Sequence, residues 1–226
     1  MINPISLFLN NFLTSGGLGG SIILLVIILL SVYGLAIVFE RRKTFAKIPK
    51  GGGKDVVRRI ISSLEINDIA EAKVQTSSRK DVYSRMLKTV LESRECSKAI
   101  FEENISKTFL KISSDLERNL ASLATIVEFS PLIGLLGTIV GLMKIFGSIS
   151  EGGLGHHEEL AGGISTALIT TAAGLIVAIF FGIILRSYKS KIEDISMNIE
   201  NCVSDVVSHP SFFQKKTNDG MENSNN

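Results

Sequence analysis

Nine residues in two short stretches have types and spacing suited to chemistry inside an apolar environment. Ser130, Gly134, Gly137, Thr138 and Gly141 recur at i, i+4, i+7, i+8 and i+11, and Ala167, Thr170, Thr171 and Gly174 at i, i+3, i+4 and i+7. At about 100° per residue each set covers one helix face. The two faces are near copies, G-LLGTIVG and A-LITTAAG, flanked by large apolar residues such as Leu135, Leu136, Leu168 and Leu175. Small residues let apolar helices approach closely, and a Thr hydroxyl can bond a carbonyl one turn back. That reading explains the glycines. It explains less well why Thr138, Thr170 and Thr171 cluster, since hydroxyls at that depth also suit a narrow hydrated path or a polar guest helix. Pro131 lies one residue after Ser130 and is expected to kink or unwind its helix.

The elements that position these faces are apolar enough to cross a membrane. Of 226 residues, 45% are hydrophobic, and the mean hydropathy is +0.32. The net charge of +2 conceals a strong asymmetry: 18 of 24 Lys and Arg lie between Arg41 and Arg118, and none lies before Arg41 or between Lys144 and Arg186. Such segregation excludes an ordinary single-core soluble domain. The 11 acidic residues interleaved with those 18 basic ones argue against a nucleic-acid partner. Residues 22–39 (18 residues) and 160–185 (26 residues) carry no charge, enough to cross about 30 Å of hydrocarbon. Between them, residues 129–143 are uncharged for 15 positions, bounded by Glu128 and Lys144, and support a second span with wetter ends.

The expectation is an all-α integral membrane protein: three transmembrane helices, with long helices extending into a cytoplasmic helical bundle. Its segments are an N-terminal interfacial helix on the periplasmic side (1–20), a first span (21–40), a cytoplasmic helical domain (41–118), a second span (119–150), a periplasmic loop (151–159), a third span (160–186), a cytoplasmic helix (187–210) and a disordered tail (211–226). The basic block fixes the orientation, with the N-terminus outside and the C-terminus inside. Ile5, Phe8, Leu9 and Phe12 share one face of the interfacial helix, and Ser15, Gly16 and Gly17 form a hinge. Arginines on the C-terminal side of the first span speak against a cleaved signal peptide.

Within the charged block, Asn67 and Asp81 are expected helix N-caps. From Ser97 no Pro or Gly intervenes before the second span, predicting one helix that runs into the membrane. Ile192, Ile195, Ile199, Val203 and Val206 form a stripe expected to pack on the cytoplasmic helices. Cys96 and Cys202 are expected to be free thiols. No metal or cofactor is expected: His156, His157, Glu158 and Glu159 are adjacent on a short loop, which suits solvation better than chelation. Gly51-Gly52-Gly53-Lys54 lacks the spacing and hydroxyl of a phosphate loop and reads as a flexible linker. The sequence shows no nucleophile–His–acid set, so catalysis is not expected. No Asp, Glu, His or Lys occupies the centre of a span; Glu128, at the cytoplasmic mouth, is the one acidic candidate. Any ion carrier must then come from another chain.

LATIVEFSPLIGLLGTIVGLMKIF resembles the second span of the ExbB/TolQ/MotA proton-channel family, GGISTALITTAAGLIVAI its third, and FERRKTF the end of its first. Three spans, with the large cytoplasmic region between the first two, resemble ExbB and TolQ rather than the four-span MotA. The resemblance implies a homopentamer in the bacterial inner membrane, enclosing single transmembrane helices of an ExbD/TolR-like partner whose Asp takes the proton. It implies conversion of the proton-motive force into mechanical work for energised transport or envelope maintenance. Pro131, Thr138 and Thr171 match the family's motif positions and are the implied channel-lining residues, with Thr170 beside them. Thr166 departs from the pattern, standing where ExbB and TolQ usually carry Glu, so the coupling ion is open between proton and sodium. A MotA-like stator for motility and a passive membrane scaffold are the competing functions.

Overall fold

The computed structural model describes residues 17–49, 51–66, 68–79, 81–152 and 157–212. Seven α-helices and a short 3₁₀ turn occur among them, and no strand. In chain order they are α1 (Gly17–Ala46), α2 (Lys54–Glu65), α3 (Ile69–Ser77), α4 (Val82–Glu92), α5 (Lys98–Glu117), α6 (Leu120–Gly152), α7 (His157–Val207) and the turn Pro210–Phe212. Residues 1–16 of the expected interfacial helix (1–20), the centre of the loop (153–156, with His156) and residues 213–226 of the expected tail (211–226) lie outside the described residues, as do the side chains of His157, Glu158 and Glu159. Residues 17–20 instead belong to α1, and residues 211 and 212 to the 3₁₀ turn, where Phe212 is buried.

Among the described residues, three helices are long and apolar enough to cross a membrane: Ser21–Ala46, Leu120–Gly147 and Ala161–Val207. Little of the apolar surface of the three is covered. Leu25, Leu29 and Val32 on α1, Leu132, Leu135 and Ile139 on α6, and Leu168, Ile176, Ile179 and Ile183 on α7 are all exposed. Water would not tolerate so much contiguous apolar surface, whereas hydrocarbon does. The protein is a multi-pass membrane protein. At about 1.5 Å rise per residue, the 51 residues of α7 far exceed one bilayer crossing, and its polar character beyond Arg186 marks where the apolar part ends.

The chain divides into two compact units. The first comprises α1 as far as Arg42 together with residues 118–189, and the second residues 43–117 with the chain from Ser190 onward. In the first unit, α1 meets α7 where Gly34 lies under the Phe181 ring; a Cβ on Gly34 would fall 2.6 Å from that ring. The Tyr188 hydroxyl donates to the Val38 carbonyl at 3.1 Å, tying the same two helices further along.

The predicted unbroken helix from Ser97 into the second span is interrupted. α5 ends at Glu117, Asn119 adopts a left-handed φ of 62°, and α6 starts at Leu120. Asn tolerates this conformation better than most residues. Its carbonyl accepts the Leu123 N–H at 3.2 Å, opening α6, and its side-chain amide donates to Glu40 Oε2 at 2.7 Å. A tertiary bond therefore outweighs the local helical preference. Pro131 does not unwind α6, which runs as continuous α-helix through it.

In the second unit the amphipathic helices bury one face each: Val56, Val57, Ile60 and Leu64 on α2, and Tyr83, Met86, Leu87, Val90 and Leu91 on α4. Asp81 caps α4, accepting from the Ser84 N–H at 2.9 Å. The cap of α3 is Asp68, which accepts from the Glu71 N–H at 2.9 Å; Asn67 lies outside the described residues. Of the predicted stripe, Ile192, Ile195, Ile199 and Val206 are buried and Val203 is half-buried. Polar pairs join α4 to α5: Ser93 with Asn104, Thr89 with Thr108 and Arg85 with Asp115. The glycine run is a defined turn, not a flexible linker. Gly52 and Gly53 hold φ of 60° and 78°, which favour glycine, and a Cβ on Gly53 would collide with Cys202 Sγ and the Tyr83 ring at 2.8 Å. Burial pushes the Tyr83 phenol up, with Cys202 and Asp81 adding to the shift and a bond to Asn198 opposing it.

Candidate functional site

The two small-residue faces meet each other within one chain. Gly134 packs on the backbone of Thr170 and Thr171, Gly137 on the Thr170 side chain, Gly141 on Ala167, and Gly174 on the Ser130 carbonyl and the backbone of Gly134. A Cβ on Gly134 would fall 2.8 Å from the Thr170 carbonyl, and one on Gly141 3.0 Å from the Ala167 Cβ. These glycines thus let α6 and α7 approach backbone to backbone, where only the absence of a side chain permits contact.

The hydroxyls are distributed unevenly along that seam. Thr170 is fully enclosed and donates to the Ala167 carbonyl at 2.8 Å, with the Gly134 carbonyl at 3.3 Å. Ser130 is also fully enclosed and donates to the Ile126 carbonyl of its own helix. Thr166 is buried and donates to the Gly162 carbonyl one turn back at 3.0 Å. Thr138 and Thr171 differ, being half-buried at the seam's edge with their hydroxyls hydrogen-bonded to each other. The Gly134 carbonyl lies 3.1 Å from Thr171 Oγ1 and 3.4 Å from Thr138 Oγ1, and the Ala167 carbonyl 3.3 Å from Thr138 Oγ1. Two hydroxyls and two carbonyls thus converge at one accessible point.

That cluster can accept a hydrogen bond from a guest or present oxygen to a cation, but it holds no group that titrates near neutrality. Glu128 stands ten residues before Thr138 on α6, about 15 Å along the axis, and is exposed. Pro131 is half-buried, and its missing N–H leaves the Val127 carbonyl without the usual helical donor. No group of three or more His, Cys, Asp or Glu side chains suited to a metal ion occurs among the described residues. Both cysteines are free thiols, Cys96 exposed and Cys202 buried.

Spacing alone did not single out the contacts that hold α1 in place: Gly34 with Phe181, Val38 with Tyr188, and Glu40 with Asn119. A lone glycine in an otherwise bulky span was the one available signal. Gly163, which packs on Ile145, extends the seam beyond Gly141 and was also missed.

Three apolar helices, two of them joined by a glycine seam with a threonine pair at its edge, define a helical multi-pass membrane protein. The profile of the MotA/TolQ/ExbB proton channel family matches residues 69–201, more than half of the chain. The chain belongs to this family. It is 33% identical over 173 residues to an ExbB-like biopolymer transport protein of Synechocystis sp., covering 75% of this chain and 67% of that one. An ExbB homologue of Methanothermobacter thermautotrophicus is 26% identical over 175 residues, covering 77% of this chain and 62% of its own. The Tol-Pal system protein TolQ of Haemophilus influenzae is 44% identical over 64 residues, 28% of each chain. The chain thus spans about two thirds of the length of the first two relatives.

Proposed function

We propose that this protein is the channel-forming subunit of an energy-coupling complex of ExbB/TolQ type. It assembles as a homo-oligomer, a pentamer by family resemblance, around an ExbD/TolR-like partner whose single membrane helix supplies an acidic residue. Ion flow past that residue is converted into mechanical work for energised transport or envelope maintenance. The observation that carries this reading is the Thr138–Thr171 pair: hydroxyls accessible at the edge of an otherwise sealed seam, on helices whose described middles hold no titratable side chain. The pair can receive a guest carboxyl, protonated or ionised, or a water beside it. In this assignment Thr138, Thr171 and Pro131 face the ion path, Thr170 and Thr166 support it from within, and Glu128 stands at its cytoplasmic mouth.

The charge distribution supports an inner-membrane topology with the N-terminus periplasmic, the C-terminus cytoplasmic and residues 41–118 and 187–210 inside the cell. The three candidate spans among the described residues match the ExbB/TolQ arrangement better than that of a four-span motility stator. Oxygen ligands alone would also suit sodium, so the ion is assigned by experiment.

The glycine seam by itself would equally serve a passive scaffold, which sets the test. Thr138→Val and Thr171→Val keep shape and remove the hydroxyls. In cells that also express the partner, both variants are expected to assemble and to lose ion-dependent work. Full activity in both variants would defeat the channel assignment, and replacing sodium in the medium distinguishes the two ions.

A further inference from the structure

In the first unit, two hydrogen bonds gather positive charge at one end of the three helices. Tyr188 bonded to Val38 brings the end of the apolar part of α7 beside the end of α1. Asn119 bonded to Glu40 brings the start of α6 to the same level. Arg41, Arg42, Arg118, Arg186 and Lys189 therefore share one collar; Glu117 precedes Arg118 in the chain, and the Glu40 carboxylate sits among the five. That carboxylate is already committed to Arg41 at 3.0 Å and to Asn119 at 2.7 Å. Arg42, Arg118, Arg186 and Lys189 are exposed, and no ion pair joins them to a carboxylate among the described residues.

The surface next to the collar is apolar. Phe39, Phe180 and Ile183, 60%, 51% and 65% exposed, lie within two turns of Arg42 or Arg186 along their helices. Cations with unpaired donors beside a strip of bare hydrocarbon match a molecule that is anionic at one end and aliphatic at the other.

We propose that this collar is a docking surface for anionic phospholipid headgroups. The guanidinium groups of Arg42 and Arg118 hold the phosphate, and the acyl chains lie along the apolar faces of α1 and α7. Guanidinium forks suit phosphate better than a point charge does, and basic clusters where membrane helices end attract anionic headgroups.

The full chain, in nanodiscs of equimolar phosphatidylglycerol and phosphatidylcholine, is released into the gas phase and its retained lipids are counted by native mass spectrometry. Phosphatidylglycerol is expected to be enriched. Arg42→Gln and Arg118→Gln should each reduce the enrichment by roughly fivefold, whereas Arg42→Lys with Arg118→Lys should retain part of it. Raising the salt on the unmodified protein should lower the enrichment, a readout that needs no variant. Inorganic phosphate and soluble glycerol phosphate should fail to displace the lipid. Equal retention of the two lipids, enrichment indifferent to salt or to both glutamine substitutions, or ready displacement by inorganic phosphate would each overturn the proposal.

Discussion

The Thr171 hydroxyl lies 3.1 Å from the Gly134 carbonyl across the seam between α6 and α7, and donates to it when Thr138 is the donor to Thr171. This bond is possible only because Gly134 and Gly174 bring the two backbones into contact. The same glycines that permit packing thereby set the height and direction of the hydroxyls.

Alanine at Gly174 should separate the helices. Its Cβ would meet the Ser130 carbonyl and, at 3.1 Å, the Gly134 Cα, which are backbone atoms that cannot rotate away. Overpacking of this kind costs about 1–3 kcal/mol. Gly162→Ala is the control, since nothing lies within 4 Å of the added carbon. Thermal unfolding of both variants in detergent should show a clear loss for Gly174→Ala and little change for the control; equal behaviour would contradict the seam.

Asn119 should tolerate glycine better than alanine. Both substitutions remove the bond to Glu40, but alanine must also hold the left-handed φ of 62°, at a further cost of about 1–2 kcal/mol. A melting temperature for Asn119→Ala no lower than that for Asn119→Gly would refute the conformational part of the argument.

The two thiols should separate by accessibility. Cys96 is exposed, whereas Cys202 is buried with its Sγ donating to the Gly52 carbonyl at 3.2 Å. A maleimide is expected to modify one site per native chain and both after denaturation, with peptide mass mapping to identify Cys96 as the first. Prompt native labelling of Cys202 would mean that the Gly51–Gly53 turn opens readily.

Alkaline conditions should weaken the second unit. Burial raises the folded-state Tyr83 phenol above its ordinary value near 10. Its neutral form is therefore favoured by folding, and the stability it contributes is complete below about pH 10 and lost as pH rises through the raised folded value. In a titration of tyrosinate absorbance, Tyr83→Phe should lose one phenol that titrates above its ordinary value.

The spans, the Asp81 cap and the stripe of α7 are visible in the sequence because hydrophobic period and capping chemistry are local. The pairing of Thr138 with Thr171 is not. Each stripe marks one face of its own helix, and nothing along a single helix says which other face it will meet. The break at Asn119 is hidden for a related reason: asparagine fits a helix well enough, and the carboxylate that favours its left-handed turn is Glu40, far away in the chain. Likewise Gly51–Gly53 resembles a linker until Tyr83, Asn198 and Cys202 are seen closing around it.

Between Thr138 and Thr171 either hydroxyl can be the donor. The pair therefore has two proton arrangements on one set of heavy atoms, exchanged by turning two O–H bonds. In one, the free lone pairs face outward from Thr138; in the other, from Thr171. The exchange needs no backbone movement, so the seam can stay rigid while the direction of its polar edge reverses.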